Sequence, residues 1–198
     1  LPEAPVKEGY KLQGWYTDPS FAMGSLFTGA VFPETDTVLY AKWIPENTWI
    51  QDFENYDSGS LTGCGMEIVT LPSSVPVREG GSGNKAAHHS GTGTVFQCLF
   101  PNDATAKLEA DKTYKLEYWI YIETVPSSFL QLALQSQPAY NTGWTQDGRT
   151  TIAAKQIGNH AGNVGTWMKI SYEFSGYDGY LIHTDWKNAT TASYYIDD

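Results

Sequence analysis

The sequence predicts an all-β protein, because short segments in which apolar and polar residues alternate recur along most of the chain. Turn clusters rich in Gly, Asn, Ser and Thr, such as "REGGSGN" and "NTGWTQDG", separate these segments at short intervals, which is typical of β-sandwiches and barrels. No long segment keeps the period of an amphipathic helix. Strands are predicted at residues 65–71, 84–89, 94–100, 112–123, 128–136, 150–154, 166–175, 179–184 and 192–197.

The composition excludes two classes of partner. The chain has 198 residues, enough for one large or two small domains, and 22 acidic against 12 basic residues give a net charge of −10. Affinity for nucleic acid depends on clustered Lys and Arg, and the sequence has no basic run, so nucleic acid is excluded. No apolar stretch approaches the roughly 20 residues of a spanning helix, so no membrane insertion is expected.

The two cysteines do not indicate a metal or redox motif. Cys64 and Cys98 show no CxxC spacing and have no nearby His at ligand spacing. They remain two buried thiols or pair with each other, and the sequence leaves both readings open.

The first 45 residues form a distinct segment, and Pro45 and Asn47 mark a linker, so we place a boundary between domains 1–45 and 47–198. In the first segment, "EGYKLQGWYTDP" predicts a strand that ends at Asp-Pro, with Trp15 and Tyr16 as aromatic members of a small core. "PEAPVKEGYKLQGWY" followed by "TVLYAKW" resembles the Listeria–Bacteroides repeat of bacterial surface proteins. The resemblance implies a small β-grasp fold, here partial because the opening strand is missing, and an extracellular or cell-surface location.

The larger segment carries four short motifs in order: "WIQDFENY", "DKTYKLEYWIYIE", "GTWMKISYEFSG" and "ASYYIDD". In this order they resemble the jelly-roll carbohydrate-binding modules of families 4, 9 and 22. The resemblance implies a jelly-roll β-sandwich that binds a polysaccharide or glycan without cleaving it, as a monomeric module of an exported multi-domain bacterial surface protein or glycoside hydrolase. The alternative is an adhesin or spacer module that recognises a host protein.

Alternation along two consecutive strands predicts the sugar-binding face. In "TYKLEYWIYIE", Trp119 and Tyr121 point outward among charged residues, opposite a core face. In the next strand Gln131 and Gln135 point outward while three leucines point inward. An exposed sheet face that carries Trp, Tyr and two Gln suits a sugar, because rings stack on C–H faces and amides bind hydroxyl groups. The alternative is that another strand, loop or domain covers Trp119.

Two further tryptophans are candidates for the same site. Trp144 and Trp186 lie on predicted loops, where ligand-binding residues concentrate. Each is equally well explained as a lid over the edge of the sandwich.

The sequence does not predict an enzyme. Glycoside hydrolysis requires two carboxylates about 5–9.5 Å apart. Glu117 and Glu123 share one face of a strand, but about 20 Å separates them. No G-x-S-x-G elbow, phosphate-binding loop or zinc-ligand spacing occurs.

A structural calcium site is predicted at the ends of the sandwich. Glu54 follows its first strand, and Asp197 and Asp198 end its last strand. Chain ends of a jelly roll lie side by side, and carboxylates at short range either raise a pKa or hold a cation. Calcium binds through oxygen ligands, and the resemblance implies calcium held by Glu54 and one of the two aspartates. The alternative is a solvated pair of chain ends without an ion.

Overall fold

The computed structural model describes residues 5–21, 25–29, 36–54, 58–60, 65–81, 83–91, 98–99, 105–124, 130–139, 148–157, 164–186 and 191–197. The chain divides into two compact units, Leu1–Trp49 and Ile50–Asp198. All regular elements in the described residues are β-strands, and none of those residues forms a helix long and apolar enough to cross a membrane. That the two units fold independently stays a prediction.

The first unit contains a two-stranded antiparallel sheet of β1 (Tyr10–Tyr16) and β2 (Tyr40–Pro45). The register shifts once, just before Gly14, where a Cβ would lie 2.8 Å from Cδ1 of Leu26. Only glycine therefore fits this close approach without a shift of its neighbour. Tyr16 is buried and packs edge-on against Phe21, which agrees with its predicted place in a small core.

The second unit is a jelly-roll β-sandwich of two sheets. The six-stranded sheet has the order β11-β8-β13-β5-β4-β3, and the five-stranded sheet has the order β10-β9-β12-β6 with β7 also paired to β12. The strands are β3 (Gly59–Ser60), β4 (Glu67–Thr70), β5 (Lys85–Gly91), β6 (Cys98–Leu99), β7 (Lys107–Leu108), β8 (Thr113–Thr124), β9 (Leu130–Gln137), β10 (Thr150–Ile157), β11 (Trp167–Ser175), β12 (Gly179–Trp186) and β13 (Ala192–Asp197). Each predicted strand overlaps one of these, so the predicted fold class is confirmed.

The core lies between the two sheets and consists of the inward-facing side chains of both. Ile120, Ile122 and Tyr194 of the six-stranded sheet belong to one buried cluster with Leu132 of the five-stranded sheet. The core positions of Ile120, Ile122 and Leu132 fix which side chains of β8 and β9 point outward, because a strand presents successive residues to opposite faces.

Candidate functional site

The structure separates the two pairs of residues that were predicted to share one face. Trp119 and Tyr121 lie on β8 in the six-stranded sheet, whereas Gln131 and Gln135 lie on β9 in the five-stranded sheet. Both pairs alternate with inward-facing core residues, so they lie on opposite outer faces of the sandwich. The prediction of one shared face is therefore wrong, because the chain crosses from one sheet to the other between β8 and β9.

The outer face of β8 is covered by another segment of the chain, which was the alternative to an open sugar-binding face. Tyr121 is only 6% exposed and is buried in a cluster with Val75 and Tyr195. Its ring also packs against that of Trp167, with 5.5 Å between the centroids. The prediction that Tyr121 is an exposed stacking platform is wrong, because Val75 comes from a segment that folds over this face.

Trp119 is half-buried, and a cation already lies on its ring. The guanidinium carbon of Arg78 is 5.0 Å from the ring centroid of Trp119. Nε of Arg78 is also 3.6 Å from Oδ2 of Asp197, which is directly opposite Trp119 in the register of the sheet. The face of the indole that would receive a sugar is therefore occupied by a side chain of the same unit.

The outer face of the five-stranded sheet carries a set of uncharged polar side chains, which we name the amide face. Cross-strand register aligns Gln135 with Thr151 and Ala133 with Thr184, and residues directly opposite each other share a face. Nε2 of Gln135 donates a hydrogen bond of 3.2 Å to Oγ1 of Thr151. The amide face consists of Gln131, Gln135, Thr151, Tyr180 and Thr184, all of them half-buried or exposed. Ile182, which is directly opposite Gln135 on the same side of β12, is 0% exposed and interrupts the polar set.

The chemistry of the amide face suits hydroxyl groups. Each glutamine offers a carbonyl acceptor and two N–H donors, and the bond from Gln135 to Thr151 uses one of those donors. No carboxylic acid points outward from the described positions of β9, β10 and β12, since Asp185 of β12 faces the interior. This face therefore lacks, within the described residues, the pair of carboxyls that glycoside hydrolysis needs.

The remaining predicted sugar-binding residues are only partly placed. Trp186 is directly opposite Gln131 in the register of β12 and β9, which assigns it to the edge of the amide face. Its side chain lies outside the described part of the structure, as does the whole of Trp144.

The structure also contains a buried polar network between the sheets that the sequence analysis did not identify. Tyr194 donates a hydrogen bond of 3.0 Å to Oδ2 of Asp185, and Nε2 of His89 lies 4.0 Å from the same oxygen. Nδ1 of His89 donates to the carbonyl oxygen of Gly65 at 2.8 Å. Burial lowers the pKa of the neighbouring His183 to about 4, against an opposing effect of Asp185. The sequence shows only that His183 and Asp185 lie two residues apart in a predicted strand, and their inward direction comes from the structure.

Two of the predicted calcium ligands, Glu54 and Asp197, are among the described residues. Oε1 of Glu54 accepts a 2.7 Å hydrogen bond from the backbone N–H of Lys85, and a Cβ on Gly83 would lie 1.9 Å from Cδ of Glu54. Burial raises the pKa of Glu54. Burial also raises the pKa of Asp197 to about 7, an increase that Arg78 opposes and Glu54 enlarges.

The donor set matches the oxygen chemistry of calcium but is incomplete. No group of three His, Cys, Asp or Glu side chains among the described residues could hold a metal ion. Asp198, the third predicted ligand, lies outside those residues. A calcium ion would therefore need backbone carbonyl, water or Asp198 oxygens in addition to Glu54 and Asp197.

The chain is similar to several known proteins. Residues 1–42 match the model of the Listeria-Bacteroides repeat domain, which confirms the resemblance of the first unit. No curated protein matches the chain.

Three solved structures are similar to the chain at low sequence identity. The K1 cleaved adhesin domain of Lys-gingipain from Porphyromonas gingivalis W83 is 13% identical, over 75% of this chain and 94% of that one, with a TM-score of 0.46. The CBM22-1 xylan-binding domain of Paenibacillus barcinonensis Xyn10C is 15% identical, over 74% of this chain and 87% of that one, with a TM-score of 0.43. A Family 16 Carbohydrate Binding Module-2 is 15% identical, over 69% of this chain and 84% of that one, with a TM-score of 0.38.

Proposed function

We propose that the second unit is a non-catalytic carbohydrate-binding module that takes a polysaccharide or glycan on the amide face. The observation that carries the proposal is the alignment of Gln131, Gln135, Thr151 and Thr184 across three neighbouring strands on one outer face. A row of neutral donors and acceptors at strand spacing can follow a chain of sugar hydroxyls, and none of the five described side chains of the amide face carries a charge that a neutral ligand would have to desolvate.

The stacking platform that a sugar ring needs is assigned to Trp186, beside Gln131 at the edge of the face. Trp144 remains a second proposed platform on its loop. Trp119 and Tyr121 are not part of the proposed site, because residues of the same unit already cover them.

The Listeria–Bacteroides repeat supports an extracellular or cell-surface location, since the resemblance places such repeats in exported bacterial chains. We propose that the module attaches a larger exported protein to a glycan. A catalytic domain elsewhere in such a protein would act on the glycan that the module holds.

Affinity electrophoresis in a panel of soluble polysaccharides tests the proposal. Xylan, mixed-linkage glucan, galactomannan, pectin and mucin glycans cover neutral and acidic chains, and we expect at least one of them to retard the protein. Gln135→Ala should reduce the affinity by about 5- to 30-fold, because it removes one or two hydrogen bonds worth about 1 kcal/mol each. Lys115→Ala, on the opposite outer face, should leave the affinity unchanged.

Two results would contradict the proposal. Equal affinity of the wild type and of a folded Gln131→Ala, Gln135→Ala double variant would remove the site from the amide face. Retardation by none of the polysaccharides, with specific capture of a host protein, would favour the adhesin alternative.

We also propose that calcium binds at Glu54 and Asp197 as a structural ion. The support is that Asp197 is only 2% exposed and that the charge of Glu54 adds to the increase in its pKa, so a divalent cation would offset, together with Arg78, charge that burial disfavours. Calcium at about 100 times its dissociation constant should raise the melting temperature by roughly 5–10 °C.

Thermal denaturation with added calcium and with excess chelator measures this shift. Glu54→Gln should abolish the shift, whereas Glu109→Gln, at an exposed ion pair, should retain it. Identical melting temperatures of the wild type in calcium and in chelator would exclude the ion.

A further inference from the structure

A set of polar side chains crosses neighbouring strands on the outer side of the six-stranded sheet, and we name it the histidine cluster. It consists of Glu67 on β4, His88 on β5, Ser193 on β13 and Glu123 on β8. Each of these residues is next in sequence to a member of the main core cluster, so its side chain points to the outer side of the sheet. The histidine cluster shares no residue with the proposed sugar site or with the predicted calcium ligands.

A β-bulge brings Glu123 to this cluster. The register of β8 and β13 shifts between Ser193 and Tyr194, and Glu123 is the extra residue of β8. Such a bulge turns a side chain away from its regular direction. Here the hydroxyl group of Ser193, which is buried, donates a 2.7 Å hydrogen bond to Oε2 of Glu123.

The bond between Ser193 and Glu123 determines which nitrogen of neutral His88 carries the hydrogen. A serine hydroxyl has one hydrogen to donate, and Ser193 donates it to a carboxylate, which only accepts. Nε2 of His88 lies 3.2 Å from the same hydroxyl oxygen, so Nε2 must be the donor of that bond. Neutral His88 then has a lone pair at Nδ1, which lies 3.7 Å from Oε1 of Glu67. Two acceptors therefore face each other whenever His88 is neutral.

The surroundings of His88 act on its protonation in opposite directions. Burial has the largest effect and lowers the pKa of His88 from its ordinary value of 6.5, and His89 adds to this decrease. Glu123 and Glu67 oppose it. The ring of Tyr195 also stacks on the imidazole, with 4.3 Å between the centroids, and an aromatic face attracts a cation. His88 therefore becomes an imidazolium only in acid, and the added proton goes to Nδ1, which faces Glu67.

We propose that His88 is a proton-operated clamp for the side chain of Glu67, open when the imidazole is neutral and closed when it is protonated. In the open form the lone pair of Nδ1 repels the carboxylate, and the side chain of Glu67, which is 54% exposed, stays in water. In the closed form Nδ1–H donates to Glu67, and hydrogen bonds then run from β4 through His88 and Ser193 to β8. This face of the sheet thus presents a free carboxylate at neutral pH and a paired one in acid.

The clamp closes in acid although His88 makes the whole sandwich less stable there. The pKa of His88 is lower in the folded protein than in the unfolded chain, so the stability that neutral His88 contributes is lost as the pH falls below about 6.5. The position of the Glu67 side chain depends on a different comparison, between two folded forms. An imidazolium is more stable beside a carboxylate than without one, and by linkage its proton favours the form in which Glu67 is near.

Nuclear magnetic resonance of the labelled full chain over a series of pH values, with a chelator present, tests the clamp. Above the titration of His88, its ring nitrogen signals should show hydrogen on Nε2 only. Below it, the scalar couplings of the Glu67 side chain should change from averaged values to those of one rotamer. A neutral imidazole with its hydrogen on Nδ1 would overturn the proposal, and so would a Glu67 side chain that stays averaged while His88 is protonated.

Two variants and a matched control test the same clamp through His88 itself. Glu67→Gln should lower the pKa of His88, because an uncharged amide favours the imidazolium less than a carboxylate does. Ser193→Ala should allow hydrogen on Nδ1 of neutral His88, because the acceptor for Nε2–H is lost. Glu173→Gln, at an exposed position of β11 in the same sheet, removes the same charge and should leave the pKa of His88 at its wild-type value. An equal pKa of His88 in the wild type and in Glu67→Gln would overturn the proposal.

Discussion

Tyr194→Phe is expected to lower the free energy of unfolding of the sandwich by about 2–3 kcal/mol. The hydroxyl of Tyr194 donates a 3.0 Å hydrogen bond to Oδ2 of Asp185, a side chain with no exposed surface. Its loss leaves a buried carboxyl with one partner fewer, and hydrogen bonds to charged groups contribute more than those between neutral groups. Because the bond joins β13 to β12, it stabilises the packing of the two sheets.

Denaturant unfolding of the purified protein measures this loss. Tyr114→Phe is the matched control, since the Tyr114 hydroxyl accepts a hydrogen bond from the backbone N–H of Glu109 at an exposed position. It should cost less than about 1 kcal/mol. A Tyr194→Phe variant as stable as the wild type would contradict a structural role of the network.

Acid is expected to destabilise the sandwich through His183. Burial lowers the pKa of this histidine in the folded protein to about 4 from an ordinary value of 6.5. The unfolded chain therefore binds the proton at higher pH than the folded one, and stability falls as the pH decreases from about 6.5 to about 4. The full contribution is about 3 kcal/mol, because each unit of difference corresponds to about 1.4 kcal/mol.

The comparison of His183→Asn with the wild type at each pH isolates this contribution. Asp197 acts in the opposite direction, since its raised pKa stabilises the folded state as the pH falls from about 7. Asp197 is present in both proteins, so its effect cancels in this comparison. His183→Asn should gain stability relative to the wild type as the pH is lowered from 6.5 to 4, because the variant lacks the buried histidine. A constant difference across this range would contradict the buried, neutral state of His183.

Sequence alternation predicted the inward and outward sides of β8 and β9 correctly. Ile120 and Ile122 are core residues, and Gln131 and Gln135 lie on the outer side of their strand, as the period of a strand requires. Alternation could not show that β8 and β9 belong to different sheets, because strand pairing depends on partners distant in sequence. For the same reason it could not show that Val75 covers Tyr121.

The polar network was missed for a different reason. His183 and Asp185 alternate with Ile182 and Thr184, and a strand with polar residues on one side is ordinarily read as solvated on that side. In this strand the side that carries His183 and Asp185 faces the interior, where Tyr194 and His89 supply partners from the other sheet. Such partners come from β13 and β5, so only the assembled sandwich identifies them.

The most direct test of the proposed site is a nuclear magnetic resonance titration of the labelled protein. An oligosaccharide of the polysaccharide that retards the protein most strongly serves as the ligand. The side-chain amide signals of Gln131 and Gln135 report the amide face, and the indole N–H signals of Trp119 and Trp167 report the covered face. We expect the glutamine signals to shift on titration while both indole signals stay in place. Shifts of the two indole signals with unchanged glutamine signals would contradict the account.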